Sequence, residues 1–261
     1  MIKSLLPPFL YKYLTTFIYG WSGNYSSWEA AEKKCTGYDS DIIFNKVKAA
    51  LLKVKNGEAV AERDSVLFDK IPYSFSLLSS LSLVALAEKR LNVLDFGGSL
   101  GSSYYHNKII SEHVTDFQWN IVEQKHFVEE GKKTFANQEL NFYYTIDECL
   151  QEQQANVVLL GSVIQYIKEP YDLLKEILSH KIPYLIIDRT PVFKTNNDRI
   201  TIQKVPKNIY EAKYPCWILN ETKLINYICS LGYEMIFDAE YNENIYLSNA
   251  YYKGYYFKLK Q

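Results

Sequence analysis

Cysteine is scarce in this sequence, and its spacing excludes the common structural metal sites. The four cysteines form no CxxC pair, and no histidine stands at metal-ligand spacing from them: Cys35, Cys149, Cys216 and Cys229. Scattered cysteines of this kind favour reduced, mostly buried thiols in a cytoplasmic protein. We therefore predict neither a bound metal nor a disulfide framework.

Long uninterrupted apolar runs are also missing. The first 21 residues are apolar, but Pro7, Pro8 and Lys12 interrupt them and no small-residue cleavage site follows. A segment this short and broken does not span a bilayer. We expect a cytoplasmic protein without an integral membrane segment, whose closest approach to a membrane is peripheral contact with the inner membrane.

An excess of charge of either sign is absent. The 29 Lys and Arg residues balance 30 Asp and Glu residues, for a formal net charge of −1. Enzymes that act on nucleic acids carry a basic field that neutralises phosphates, so this balance argues against a nucleic-acid partner. Hydrophobic residues make up 48% of 261 residues, enough for one sizeable domain with an appendage.

Residues 1–90 have the pattern of a helical extension. Ser26 and Glu29 have the spacing of a capping box that opens a short helix, which Gly37 would end. Pro72 suits the first turn of a later helix. Between them, apolar residues recur at helical spacing at Ile43, Val47, Leu51 and Val54.

Residues 91–261 alternate short apolar strands with helices. The predicted strands are Leu91–Phe96, Phe117–Val122, Leu140–Tyr144, Asn156–Leu160, Tyr184–Asp188, Tyr233–Phe237 and Tyr251–Leu259. Helices are predicted over 102–113, 125–136 and 171–179. Such alternation predicts right-handed crossovers and a mainly parallel sheet with helices on both faces. The last two strands should form a hairpin that gives the sheet an antiparallel edge.

The first of these strands runs into a glycine-rich turn, Asp95-Phe96-Gly97-Gly98-Ser99-Leu100-Gly101. Glycine is needed where a backbone turns tightly and approaches a ligand, because a Cβ would clash. The nicotinamide fingerprint GxGxxG fails in both registers. The acid two residues before the first glycine resembles motif I of class I methyltransferases, which bind S-adenosylmethionine. The alternative is a tight turn without a ligand.

The second predicted strand ends in an acid, Glu123, 28 residues after Asp95. Dinucleotide folds place an acid about 20 residues on, where it accepts hydrogen bonds from ribose hydroxyls. The alternative is an ordinary solvated glutamate. We expect Glu123→Ala to weaken cofactor binding, and Gly98→Val to abolish it with the fold intact.

The fourth strand runs into small residues, Gly161 and Ser162, followed by a short turn that ends at Tyr166 and Ile167. This stretch resembles methyltransferase motif II, in which small residues leave room beside the methionine end of the cofactor. The N/D-P-P-aromatic tetrad of amino-directed nucleic-acid methylases is absent.

Further segments extend the resemblance along nearly the whole chain. They occur in the order Gly20–Ala30, Gly37–Ser40, Asp95–Tyr105, Val122–Gln124, Gln165–Tyr166, Asp188–Pro191, Gln203–Pro206 and Tyr214–Trp217. The series resembles a family of class I methyltransferases found among bacterial surface-polysaccharide biosynthesis genes. The resemblance implies a Rossmann-like α/β fold with a seven-stranded sheet, S-adenosylmethionine as cofactor, and a sugar or glycan acceptor.

Methylation of a sugar hydroxyl calls for a general base, since such a hydroxyl is a poor nucleophile. Asp188, at the end of the fifth predicted strand, is our first candidate; the others are His106 and Tyr166. Each has a structural alternative: Asp188 would pair with Arg189 or cap a turn, and His106 would be a surface residue of a helix.

The segment 190–219 is long for a connection between a strand and a helix, and such connections are often functional. We expect it to lie over the active site, with Tyr214 and Trp217 stacking on a sugar or packing the insertion onto the body. Tyr25 in the N-terminal part allows the same two interpretations, lid or small core. Arg189 would bind an anionic group of the acceptor or balance Asp188.

The function hypothesis is O-methylation of a sugar in a cell-surface glycan or its precursor, with S-adenosylmethionine as the methyl donor. The alternatives are a nicotinamide-dependent sugar oxidoreductase and a non-catalytic partner protein that kept the fold. Asp95 and the failed GxGxxG count against the oxidoreductase, and the undamaged glycine loop counts against the partner protein.

Overall fold

The centre of the fold is the parallel sheet predicted after Leu91. The computed structural model describes residues 20–35, 40–194, 197–205, 212–242, 245, 247 and 249–260. In chain order, the strands of these residues are β1 (Gly20–Tyr25), β2 (Ala61–Arg63), β3 (Val66–Phe68), β4 (Leu91–Phe96), β5 (Phe117–Val122), β6 (Leu140–Tyr143), β7 (Val157–Gly161), β8 (Tyr184–Phe193), β9 (Arg199–Lys204), β10 (Lys213–Asn220), β11 (Tyr233–Tyr241) and β12 (Ala250–Leu259).

The helices of the described residues are α1 (Trp28–Glu32), α2 (Ser40–Lys55), α3 (Phe75–Glu88), α4 (Ser102–Asn107), α5 (Lys125–Glu130), α6 (Ile146–Glu152), α7 (Pro170–Ser179) and α8 (Glu221–Ser230). A 3₁₀ turn extends α4 to His113, and a π turn extends α5 to Phe135. Helix α6 was not predicted; Thr145 caps it by accepting from the amide of Glu148. Among these residues, no helix is both long and apolar enough to cross a bilayer.

The strand order places the first strand of the parallel region in the middle. Strands β6, β5, β4, β7 and β8 are parallel neighbours in that order. Strand β12 then pairs antiparallel with β8, and β11 pairs antiparallel with β12. The last strand in the chain therefore lies between β8 and β11. Because β4 and β7 are neighbours, the chain reverses direction across the sheet at this point, where open α/β sheets form ligand crevices.

Helices cover both faces of the sheet. Helices α2, α3, α4 and α5 pack on one face through a core that includes Leu51, Leu81 and Tyr104. Helices α6, α7 and α8 pack on the other through a core that includes Leu174 and Leu224. The apolar stripes of the helices and the buried parallel strands therefore form a three-layer sandwich.

The described residues of the segment 190–219 are mostly strand, which differs from the long connection that we expected. Strand β8 continues to Phe193, and β9 and β10 then form an antiparallel pair that β1 extends on its outer edge. The end of β10 joins this small antiparallel sheet to β8 through Leu219 and Asn220. Strand β1 from the predicted N-terminal region and strands β9 and β10 from the predicted C-terminal region thus form one sheet.

The N-terminal region contains the three predicted helices but also strand β1 and the hairpin β2–β3. Two helix starts differ from the prediction. Ser27, not Ser26, caps α1 by accepting from the amide of Ala30, and Ser74 caps α3 two residues after Pro72. Helix α1 ends at Glu32, and Gly37 lies outside the described residues.

Hydrogen bonds between asparagine residues link four neighbouring strands of the parallel sheet, β6, β5, β4 and β7. The side-chain amide of Asn120 donates to Oδ1 of Asn92 at 2.7 Å, and its own Oδ1 accepts from Asn141 at 3.3 Å. Oδ1 of Asn156 accepts from the amide of Asn92 at 2.8 Å. Each such group needs a partner because an unpaired buried amide costs stability.

We predict that Asn120→Ala lowers the free energy of unfolding by about 1–3 kcal/mol, since it leaves the side-chain Oδ1 of the buried Asn92 without the donor that Asn120 supplies. Chemical denaturation measures the change. The control is Asn56→Ala, an exposed position after α2, which should change stability by less than about 0.5 kcal/mol. Equal effects of the two substitutions would contradict this role of the asparagines.

Candidate functional site

The glycine-rich turn lies at the carboxyl end of β4, in the crevice where the chain reverses direction. Gly97 and Gly101 have φ angles of +72° and +110°, and Ser99 between them has φ +56°. A Cβ on Gly97 would lie 2.4 Å from Cγ2 of Val163, in the turn after β7. Glycine is required here both for the left-handed backbone and for this close approach between two loops.

Gly98 is required for a different contact. A Cβ at this position would lie 2.5 Å from Oδ2 of Asp95. The Asp95 carboxylate therefore occupies the space beside the backbone of Gly98 that a side chain would need. A valine at Gly98 would displace the Asp95 carboxylate as well as fill the space at the turn.

Asp95 is almost completely buried at the end of β4, with a relative exposure of 1%. Its Oδ2 accepts a hydrogen bond of 2.9 Å from the indole Nε1 of Trp119 on β5. Burial raises the pKa of Asp95 to about 7; the bond from Trp119 opposes the rise, and the charge of Glu123 adds to it. The carboxylate thus supports the turn from inside the protein.

Glu123 follows the last residue of β5 and lies beside the glycine-rich turn. Its Oε2 accepts from the backbone amide of Gln124 at 2.6 Å. Burial raises the pKa of Glu123, and the amides of Gln124 and Ser99 oppose that rise as hydrogen-bond donors. The involvement of Ser99 places the carboxylate against the turn, at the edge where a ribose would bind in a dinucleotide fold.

The turn after β7 completes the same edge. Gly161 is partly exposed, and a Cβ there would come no closer than 3.9 Å to another atom. Ser162 has φ +55°, its amide donates to the carbonyl of Asp188, and its Oγ donates to the carbonyl of Arg189. These two bonds hold the carboxyl ends of β7 and β8 together.

Asp188 lies at this edge on β8 and is 6% exposed. Its Oδ1 accepts from Oγ of Ser74, the residue that caps α3, and from the hydroxyl of Tyr241 at the end of β11. The hydroxyl oxygens of Tyr241 and Ser74 also lie 2.7 Å apart; because each hydroxyl has a single proton, only two of these three hydrogen bonds form at one time. Burial, followed by the charge of Asp188, raises the pKa of Tyr241 well above its ordinary value.

A bulge in β8 sets the direction of these side chains. Lys253 pairs with Thr190 and Tyr255 pairs with Ile187, so Asp188 and Arg189 together oppose Gly254. Arg189 takes the left-handed φ of +51°. Bulges often lie next to active sites, where they change the direction of a side chain.

The hairpin β2–β3 ties the helix after the glycine-rich turn to the N-terminal region. Glu62 is 1% exposed, and its carboxylate accepts from Oγ of Ser102 and from the amide of Ser65. Nε2 of His106 lies 2.8 Å from the carbonyl oxygen of Glu62. This contact requires the tautomer with the proton on Nε2 and leaves Nδ1 as the acceptor. Burial lowers the pKa of His106, which favours the neutral ring.

Arg189 and Tyr166 lie among aromatic side chains at the start of the antiparallel sheet. The guanidinium of Arg189 is 5.5 Å from the ring centroid of Tyr252, and its Nη1 is 3.8 Å from Oδ2 of Asp64. Tyr166 donates to Oε1 of Gln203 at 2.7 Å and meets the ring of Tyr214 edge-on at 5.2 Å.

Tyr25 and Trp217 lie on the opposite face of the small antiparallel sheet. They pack with Trp28, Ala31, Ile200 and Ile202. Successive residues of β10 face opposite sides, so Cys216 contacts the cluster around Trp21 and Tyr252 while Trp217 faces α1. Of the two interpretations left open from the sequence, Tyr25 and Trp217 have the contacts of the small core.

Several polar residues of the site had no signal in the sequence. Glu62, Ser74, Trp119 and Tyr241 reach the site from distant parts of the chain, and none belongs to a motif. The described residues contain no cluster of three or more His, Cys, Asp or Glu side chains that could hold a metal ion. The four cysteines are free thiols, two buried and two partly buried.

No protein-family model matches this chain, and no curated protein matches it in sequence. Solved structures match it in fold. The N-terminal domain of EvdMO1, crystallised in the presence of SAH and D-fucose, is 9% identical, covers 85% of this chain and 98% of its own, and has a TM-score of 0.51. This likeness identifies the Rossmann-like fold of class I methyltransferases, as predicted.

Two further matches have lower scores. An S-adenosylmethionine-dependent methyltransferase from Clostridium acetobutylicum is 8% identical, with 84% of this chain and 99% of its own covered and a TM-score of 0.48. The 1,6-didemethyltoxoflavin N1-methyltransferase of Burkholderia thailandensis is 10% identical, with 87% and 92% covered and a TM-score of 0.43.

We predict that Asp95→Asn changes how stability depends on pH. Between about pH 4 and pH 7 the folded protein holds a proton on Asp95 that the unfolded chain has lost, so burial of this group lowers stability as the pH rises. The variant has no ionisable group at this position, so its free energy of unfolding does not fall with pH for this reason. Its free energy of unfolding relative to the wild type should therefore rise by about 2–4 kcal/mol from pH 4 to pH 8.

Urea denaturation at a series of pH values measures this difference. Asp69→Asn, at an exposed position after β3, is the matched control and should show a flat difference. A flat difference for Asp95→Asn as well would mean that the buried carboxyl ionises as it does in the unfolded chain.

Proposed function

We propose that this protein is an S-adenosylmethionine-dependent methyltransferase that methylates a hydroxyl of a sugar in a cell-surface glycan or its precursor. The observation that carries the proposal is the position of Glu123, a carboxylate against a glycine-rich turn at the carboxyl edge of a parallel sheet. Such a pair suits an adenosine ribose, whose two hydroxyls are donors.

The residues around the crevice have the chemistry that this cofactor needs. Glu123 would bind the ribose hydroxyls, Gly97 and Ser99 would pass beneath the cofactor, and Gly161 and Ser162 would border its methionine end. Asp95 acts indirectly, since it holds the turn at Gly98 and bonds Trp119. When bound, S-adenosylmethionine supplies a methyl group activated by a sulfonium. The chain's task is then to position the acceptor and exclude water.

The side of the crevice formed by β8 and the small antiparallel sheet would hold the acceptor. Arg189, Tyr166 and Tyr214 offer a cationic group and aromatic rings, which suit a sugar with an anionic substituent. The resemblance to methyltransferases of polysaccharide biosynthesis supports a sugar. The EvdMO1 domain, which shares the fold, was crystallised with D-fucose, and this also supports a sugar.

Asp188 is our proposed general base. Its carboxylate stands at the carboxyl edge beside Ser162, and hydrogen bonds from Ser74 and Tyr241 fix its orientation. His106 remains the second candidate, since its Nδ1 is the acceptor nitrogen. Tyr166 is the third; burial holds its pKa well above its ordinary value, so its hydroxyl stays protonated near neutral pH and is the least able of the three to accept a proton.

We predict that S-adenosylhomocysteine at 100 times its dissociation constant stabilises the protein by about 2.7 kcal/mol. Glu123→Ala should weaken its binding by tenfold or more, because it removes a charged acceptor worth about 1.5–3 kcal/mol. Isothermal titration and thermal melting measure both effects.

Glu129→Ala is the matched control, since this exposed glutamate of α5 forms an ion pair with Lys125 in the same helix. It should bind the cofactor like the wild type. Titration with NADH in parallel tests the oxidoreductase alternative. Binding of NADH without binding of S-adenosylhomocysteine would overturn the proposal.

We predict that Asp188→Asn lowers kcat for sugar methylation by about 10²–10⁴ while leaving cofactor affinity unchanged. Asparagine keeps Oδ1 as an acceptor for Ser74 and Tyr241, so the fold should persist. Mass spectrometry of a panel of sugars that includes D-fucose, incubated with enzyme and cofactor, would detect the added methyl group. A loss of activity in His106→Gln but not in Asp188→Asn would transfer the role to His106.

A further inference from the structure

A surface cleft of about 310 Å³ lies between α2 and the hairpin β2–β3, apart from the glycine-rich turn. We call it the lysine cleft. It is lined by Lys46, Ala49, Ala50, Lys53, Asp64, Ser65, Val66 and Leu67.

One wall is a single face of α2. Lys46, Ala49, Ala50 and Lys53 have the spacing of one helical face. The two alanines leave space, and a lysine stands at each end, with a rise of about 10 Å between them along the helix axis. Flexible four-carbon stems allow both ammonium groups to reach one extended anion between them.

The other wall is the turn of the hairpin. Asp64 and Ser65 both have left-handed backbone, with φ +53° and +65°, although neither is glycine. The amide of Ser65 is fixed by its bond to Glu62, while its Oγ is buried with no hydrogen-bond partner among the described residues. Positive φ at both residues of a two-residue loop is the geometry of a type I′ hairpin turn, which lets the hairpin reverse tightly beside α2. The Ser65 hydroxyl, unpaired among the residues that the structure describes, is a donor inside this wall of the cleft.

The charges of the cleft favour an anion. Among the residues that line the cleft, two are lysines and one, Asp64, is acidic; Oδ2 of Asp64 is 3.8 Å from Nη1 of Arg189. Asp64 therefore connects the lysine cleft to the side of the crevice assigned to the acceptor. A ligand that spans both places would carry its anionic group at the lysines and its reacting part near Arg189.

We propose that the lysine cleft binds the diphosphate group of the acceptor, a sugar linked through diphosphate to a nucleoside or to a lipid. The role as acceptor site rests on the proposed methyltransferase function; the binding of diphosphate does not. Two ammonium groups match the charge of a diphosphate better than that of a neutral glycan. The exposed apolar side chains of Val66 and Leu67, at 42% and 41%, would contact the lipid or the nucleoside.

Isothermal titration of the full chain with inorganic pyrophosphate, UDP and farnesyl diphosphate tests this proposal. The wild type should bind all three. The double variant Lys46→Gln/Lys53→Gln should bind each at least about tenfold more weakly. Ala49→Trp should also weaken binding, since it fills the cleft without changing its charge.

The matched control removes two positive charges elsewhere. Lys125→Gln/Lys175→Gln changes exposed residues of α5 and α7 and should bind like the wild type. Failure of the wild type to bind pyrophosphate would overturn the proposal, as would binding in the cleft variants that equals the wild type. If the control variant also bound pyrophosphate equally weakly, the weaker binding would be explained by net charge alone. That result would also overturn the proposal.

Two further measurements separate the parts of the proposal. Val66→Ser/Leu67→Ser should weaken farnesyl diphosphate selectively if the carrier is a lipid and UDP selectively if it is a nucleoside. S-adenosylhomocysteine should bind the cleft variants as it binds the wild type. A third result is that the wild type binds pyrophosphate through the two lysines and yet fails to bind S-adenosylhomocysteine. That result would overturn the proposed methyltransferase function and support the diphosphate site.

Discussion

The contact between Asp95 and the bare backbone of Gly98 is the constraint on which the site depends. The carboxylate occupies the space that a Cβ would need, and it bonds the indole of Trp119 on the neighbouring strand. The turn after β4 is therefore supported from below by a buried acid whose pKa is raised to about 7. Because the turn is fixed, the amide of Ser99 donates a hydrogen bond to Glu123. This bond holds the Glu123 carboxylate at the edge of the crevice.

A second buried carboxylate joins the N-terminal region to the sheet. Asp188 accepts from the residue that caps α3 and from Tyr241 on β11, so one side chain links three elements distant in the chain. The bulge opposite Gly254 directs Asp188 towards these partners. The hairpin β2–β3 also joins the N-terminal region to the sheet. Glu62 accepts a hydrogen bond from Ser102 at the start of α4, and Asp64 lies near the guanidinium of Arg189 on β8. The N-terminal region thus contacts both the side of the crevice proposed for the cofactor and the side proposed for the acceptor.

Local signals predicted the parallel part of the fold well. The bounds of β4 and β5 agree with the predicted strands because apolar runs were bounded by turn residues, and α7 begins at Pro170, one residue before the predicted start. The small antiparallel sheet was largely missed. In residues 190–219 the sequence contains only a short apolar alternation, Ile200, Ile202 and Val205, as a sign of a strand, and the partners of that strand are β1, from residues 20–25, and β10. Pairing between segments so far apart leaves no periodic pattern in either one.

The sequence by itself determined the glycine-rich turn, the acids Asp95 and Glu123, and the succession of the parallel strands β4 to β8, because each depends on residues close together in the chain. Tertiary structure alone decided which faces the aromatic residues occupy. Tyr214 meets Tyr166 while Trp217, three residues later, packs under α1, since strand direction and pairing set the side of each residue. It also decided the partners of Asp188 and the lysine cleft, which exist only where separate elements pack together.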